Sequence, residues 1–125
     1  MKTKLLTAVV AITALGGIVP PSNAGGVVAA DTTVTIQVQG RDFSGYVKSS
    51  KPMRCADGRK VTLFKQVGAE QDRSVDQRVA SDTASLNGDR YQWSTGNTGQ
   101  RGKFYARAGK IDGCKPDSSK TLRTE

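Results

Sequence analysis

The chain has 125 residues, 19 lysines and arginines against 11 acids, a net charge of +8, two cysteines and no histidine. That length fits one domain, and the charge favours polyanionic partners without naming one. The missing histidine excludes Ser/His/Asp and Cys/His catalysis, because the commonest general base near neutral pH is absent.

The N-terminus runs MKTK, an apolar stretch from Leu5 to Val19, then PPSNAGG. A positive start, a short apolar core and a small-residue exit read as a secretory signal peptide. A membrane-spanning helix needs about 20 apolar residues, and Pro20 and Pro21 end this run early. Cleavage is expected after Ala24, with Ala30 as the alternative. Residues 1–24 are then the signal peptide, 25–31 a linker and 32–125 a β-sandwich domain, secreted to the exterior or the cell envelope. Losing Lys2 and Lys4 lowers the charge from +8 to +6.

From Thr32 the apolar period is two. Val34, Ile36 and Val38 alternate with polar residues, which predicts a half-buried strand. Arg41-Asp42 makes a joint, and DFSGYVKSS continues with Phe43, Gly45 and Val47 on one face. Lys48 to Arg59 reads as a loop ending in a turn at Asp57-Gly58. RKVTLFKQV places Val61, Leu63 and Val67 on one face and Phe64 on the other. GAEQDRSVDQ is a polar loop, and QRVASDT a short strand. SLNGDRYQW contains Asn87-Gly88, a strong hairpin signal, followed by Tyr91 and Trp93. In KFYARAGK, Phe104, Ala106 and Ala108 share a face, and Tyr105 competes with Phe104 for the interior. SSKTLRTE is an edge-like last strand. About seven short strands without a helix-length 3.6 period predict an all-β antiparallel sandwich.

Cys55 and Cys114 are the only cysteines. An even count in a small exported chain reads as one disulfide. Cys55 lies in the second-to-third strand connection and Cys114 in the last one, and in an immunoglobulin-type sandwich these loops share a pole. A catalytic thiol lacks a histidine partner, and zinc wants three or four Cys or His ligands. The bridge gathers Lys51, Arg54, Arg59, Lys60, Lys110 and Lys115 at one end, diluted by Asp57, Asp112 and Asp117. These six cations are the candidate polyanion-binding residues.

Other chemistry is sparse. Asp72, Asp76, Asp82 and Asp89 lie in polar, turn-like segments, where acids are usually solvated. Asp82, Asn87 and Asp89 do not have EF-hand spacing, and no metal or cofactor is expected. Trp93, Tyr91, Tyr46 and Tyr105 are candidates for sugar stacking, with Trp93 better explained as core.

Gly45-Tyr46-Val47, Val61-Thr62-Leu63-Phe64-Lys65, Ser81-Asp82-Thr83 with Asn87-Gly88 and an aromatic strand, and Gly102-Lys103-Phe104-Tyr105-Ala106 together resemble the carboxypeptidase regulatory-like domain, a transthyretin-like (prealbumin-like) sandwich. They are also similar to small secreted Lys/Arg-rich bacterial proteins with paired cysteines. The resemblance implies a non-catalytic binding or accessory module. With the charge, it leads to the expectation of a secreted module that adheres to an anionic polymer of the cell envelope or matrix, with no specific nucleic-acid partner. The alternative is a purely structural envelope or matrix component with no specific ligand.

Overall fold

The structure, a computed structural model, describes residues 28–124. The expected signal peptide and the first part of the linker lie outside the described residues. Among the described residues, no helix is long and apolar enough to cross a membrane.

The fold is all-β. The strands are β1 (Thr33–Val34), β2 (Gln37–Gln39), β3 (Asp42–Lys48), β4 (Lys60–Gln66), β5 (Gln77–Thr83), β6 (Ser85–Asn87), β7 (Arg90–Asn97), β8 (Gly102–Ala108), β9 (Asp117–Ser118) and β10 (Leu122–Thr124). One helical turn, α1 (Pro52–Cys55), sits in the loop after β3. The strands form two antiparallel five-stranded sheets. The first runs β5-β4-β8, with β9 and β10 both on the far side of β8; the second runs β6-β7-β3, with β1 and β2 both on the far side of β3. The chain changes sheets at buried Ala84, between β5 and β6.

Period-two patterning fixes which side chains meet between the sheets. Val61, Leu63, Phe104, Ala106 and Ala108 of the first sheet face Val34, Ile36, Phe43, Val47 and Trp93 of the second. Phe43 and Phe104 touch across the interface with ring centroids 4.7 Å apart. Val67 does not join this row. The strand ends at Gln66 and Val67 is exposed, its N–H drawn to Asp76 Oδ1 at 2.9 Å as the chain leaves the sheet.

The expected first strand is split between β1 and β2, and the buried indole of Trp93 is the cause. Trp93 Nε1 donates to the Thr35 carbonyl at 3.0 Å. That carbonyl is thereby taken out of the ladder, and the Thr35 hydroxyl accepts the Tyr46 N–H instead at 2.9 Å. A Cβ on Gly45 would lie 1.9 Å from the Thr35 carbonyl oxygen, so only glycine fits there. The hairpin forms where expected. Asn87 pairs with Arg90, which leaves Gly88-Asp89 as a two-residue loop, and Gly88 has φ +69°. Glycine at the first loop position suits the mirror-image turns that match strand twist.

Both open sides of the sandwich are latched by a carboxylate. Asp82 Oδ2 accepts the Ser94 N–H at 2.7 Å on one side. Asp117 Oδ2 accepts the Val34 N–H at 2.7 Å on the other. Cys55 and Cys114 are disulfide-bonded, with Cα atoms 5.5 Å apart, and both are fully buried. The end of the expected linker belongs to the domain. Ala30 donates to the Gly113 carbonyl and accepts from the Lys115 N–H, both at 2.8 Å. Asp31 Oδ1 accepts the Ser50 N–H at 3.0 Å.

Candidate anion-binding face

The six cations expected at the disulfide pole are not all on its surface. Arg59 is 2 % exposed, and its guanidinium points inward. Nη1 donates to Thr32 Oγ1 at 3.1 Å and to the Cys55 carbonyl at 2.8 Å. Nη2 donates to the Gly109 carbonyl at 2.7 Å and the Lys115 carbonyl at 2.9 Å. Four segments thus meet on one side chain, and burial holds its pKa below the ordinary arginine value. Arg59 is a structural clasp and is unavailable to a polymer. Arg54 is exposed but lies over the Cys114 loop; a Cβ on Gly113 would come within 2.6 Å of its Nε. Lys51 and Lys115 are exposed, and Lys115 sits close enough to Asp31 to help depress that carboxyl, after the larger effect of the Ser50 hydrogen bonds. Lys60 and Lys110 line a cavity of about 260 Å³ together with Arg59 and with Arg78 of β5.

That cavity leads onto the outer face of the first sheet. Strand register builds this face in two rows. One row is Arg78, Phe64 and Tyr105, because Phe64 pairs with both neighbours. The Arg78 guanidinium stands 5.3 Å from the Phe64 ring centroid, and Phe64 stacks on Tyr105 at 5.3 Å. The second row is Ser81, Thr62, Arg107 and Ser118. Arg107 Nη1 donates to Ser118 Oγ at 2.8 Å, while its buried Nε has no hydrogen-bond partner.

The loop between β4 and β5 folds over this face and brings Arg73 to it. Asp76 holds the loop in place. Its carboxylate accepts the Val67 N–H at 2.9 Å, the Asp72 N–H at 2.7 Å and the Tyr105 hydroxyl at 2.5 Å. Burial pushes the Asp76 carboxyl up, but these donors outweigh it and leave the pKa below its ordinary value. Burial and the same hydrogen bond drive the Tyr105 phenol well up, so it stays a donor. Burial, and then the neighbouring Arg73 charge, lower the Arg107 pKa. Arg73, Arg78 and Arg107 together line a cavity of about 70 Å³ with Thr62, Phe64 and Gly109. A larger one, of about 450 Å³, opens beside it between Arg73, Arg107, Tyr105 and Ser118.

Asp82 is a latch, Asp76 an anchor, and Asp72 accepts the Ser74 N–H and hydroxyl. Asp89 occupies the exposed hairpin loop. Trp93 is core, Tyr91 packs against the core, and Tyr46 lies on the second sheet with the Arg90 guanidinium 4.9 Å from its ring centroid. Tyr46 and Tyr91 line one cavity of about 500 Å³ with Leu86 and Arg90. Among the described residues, no group of three or more His, Cys, Asp or Glu side chains could hold a metal. No protein-family model matches the chain, and no curated protein matches its sequence.

The outer-face arginines were missed by loop-by-loop reading of charge. Their signal was the alternation itself: inward Phe104 and Ala106 imply outward Tyr105 and Arg107, and inward Leu63 implies outward Phe64.

Proposed function

We propose that this protein is a non-catalytic, secreted module of the carboxypeptidase regulatory-like kind that binds an anionic polymer of the cell envelope or extracellular matrix. The observation that carries the reading is the run of adjoining cavities along one sheet face, bordered by Lys60, Arg73, Arg78, Arg107 and Lys110. Five cations gathered on one face raise the local potential above that of an evenly spread charge. A shallow, open track suits an extended chain better than an enclosed small molecule.

Retention on heparin and teichoic-acid columns tests it. Wild type should elute at raised salt, because contacts between exposed charges weaken as the Debye length falls from about 30 Å at 0.01 M to about 8 Å at physiological ionic strength. Lys60→Ser with Arg78→Ser should elute early, and Lys51→Ser with Lys115→Ser should elute like wild type. Equal shifts in both pairs overturn the assignment of the face. No retention at all favours a structural component without a ligand.

A further inference from the structure

The polymer reading leaves open which chemical group is recognised, and the arginine cluster over Phe64 answers that more narrowly. Three guanidinium-bearing side chains from three different segments converge on one small cavity: Arg73 from the loop, Arg78 from β5 and Arg107 from β8. Each is placed by a different interaction. Arg78 lies over the Phe64 ring. Arg107 is steered by Ser118 Oγ. Arg73 is carried by a loop that Asp76 ties to Tyr105.

The acids nearby spend their hydrogen-bonding capacity on other donors, although the Asp117 charge still acts on Arg107. Asp76 is engaged by three donors, Asp72 is engaged by Ser74, and Asp117 is engaged by Val34. Arg107 Nε is out of water without a partner, as Arg59 Nε is at the disulfide pole, but only Arg107 lines this cavity. Thr62 adds a hydroxyl to the cavity wall and Phe64 an apolar floor.

We infer that Arg73, Arg78 and Arg107 form a subsite for a single tetrahedral oxyanion, a phosphate or sulfate ester borne on the polymer. A carboxylate offers two oxygens in a plane, which one guanidinium fork satisfies. Three converging forks match a group with three or more oxygens pointing in different directions. The subsite rests on the polymer reading for the source of its anion, but free oxyanions test it independently.

The experiment follows the arginine Nε–Hε signals by NMR during titration of the purified protein at constant ionic strength. The titrants are inorganic phosphate, methyl sulfate and acetate. Phosphate or methyl sulfate should shift the Arg73, Arg78 and Arg107 signals to saturation, and acetate should not. The tighter of the two names the source, a phosphate monoester or a sulfate ester borne on the polymer. Arg107→Lys keeps the charge and loses the fork, so affinity should fall about tenfold, equivalent to about 1.4 kcal/mol. Arg78→Gln, at an exposed position, should weaken binding similarly and serves if Arg107→Lys does not fold. Arg54→Ser should change nothing. Non-saturating shifts, equal response to acetate, or unchanged affinity in folded Arg107→Lys or in Arg78→Gln overturn the subsite. Column retention without oxyanion saturation leaves the polymer reading standing and removes the subsite. Oxyanion saturation without column retention does the reverse.

Discussion

Arg59 and Arg107 are both drawn out of solvent, and they are used in opposite ways. At the disulfide pole, Arg59 donates to three backbone carbonyls and one hydroxyl. Its charge is surrounded by dipoles the fold itself supplies. On the outer sheet face, Arg107 has one side-chain partner, Ser118, and the Arg73 charge acts on it. Each keeps one buried Nε without a partner, so the difference lies in the acceptors the fold supplies, four for Arg59 and one for Arg107. The lesson is that cation counts along a chain do not locate a binding surface; the acceptors already spent on each cation do.

The pole should therefore respond to mutation in stability and the face in binding. The largest stability effect is expected at the disulfide. Its cysteines are 59 positions apart. Cys55→Ala with Cys114→Ala should cost about 4 kcal/mol in the loop-closure estimate, read as a lower midpoint in urea denaturation. Outlying retention on heparin should survive wherever the variant remains folded.

Arg59→Met comes next. It keeps much of the stem volume and strands four acceptors, so a loss of about 3 kcal/mol is expected by thermal or urea unfolding. A loss under about 0.5 kcal/mol would remove the clasp and return Arg59 to the surface charge set.

Asp76→Asn should cost about 2 kcal/mol at neutral pH, since it weakens three hydrogen bonds to the carboxylate. The pH dependence has a definite sign. The folded pKa of Asp76 is depressed, so its contribution is complete above the unfolded value of about 3.9 and is lost as pH falls through the lower folded value. Wild type should therefore lose more stability than Asp76→Asn between about pH 5 and pH 2. Parallel pH profiles would mean that the loop is held by something other than this carboxylate.

The smallest stability effect belongs to Arg107→Lys. Thermal unfolding should move by the equivalent of no more than about 0.5 kcal/mol, while oxyanion affinity drops. A large stability change with unaltered binding would place Arg107 in the same class as Arg59 and erase the contrast.

The sequence alone determined a good deal. Alternation of apolar and polar residues from Thr32 onward sets the inward faces of the sheets, because period two is a local property of extended backbone. An even cysteine count, with no other thiol to compete, leaves Cys55 one intramolecular partner. Gly88 marks the hairpin because positive φ is a local requirement. Tertiary structure decided what depends on approach between distant segments. Gly45 is required by a carbonyl on Thr35, itself displaced by the indole of Trp93. Arg59 reads as a surface cation until three distant acceptors and the nearby Cys55 carbonyl surround it. Arg107 is far along the chain from Arg73 and Arg78, and their meeting depends on β4 pairing with both β5 and β8 and on a loop pinned by Asp76. Charge is written in the sequence, but its desolvation and its partners exist only once the chain has folded, and those two terms decide whether a cation holds the protein together or is left to hold something else.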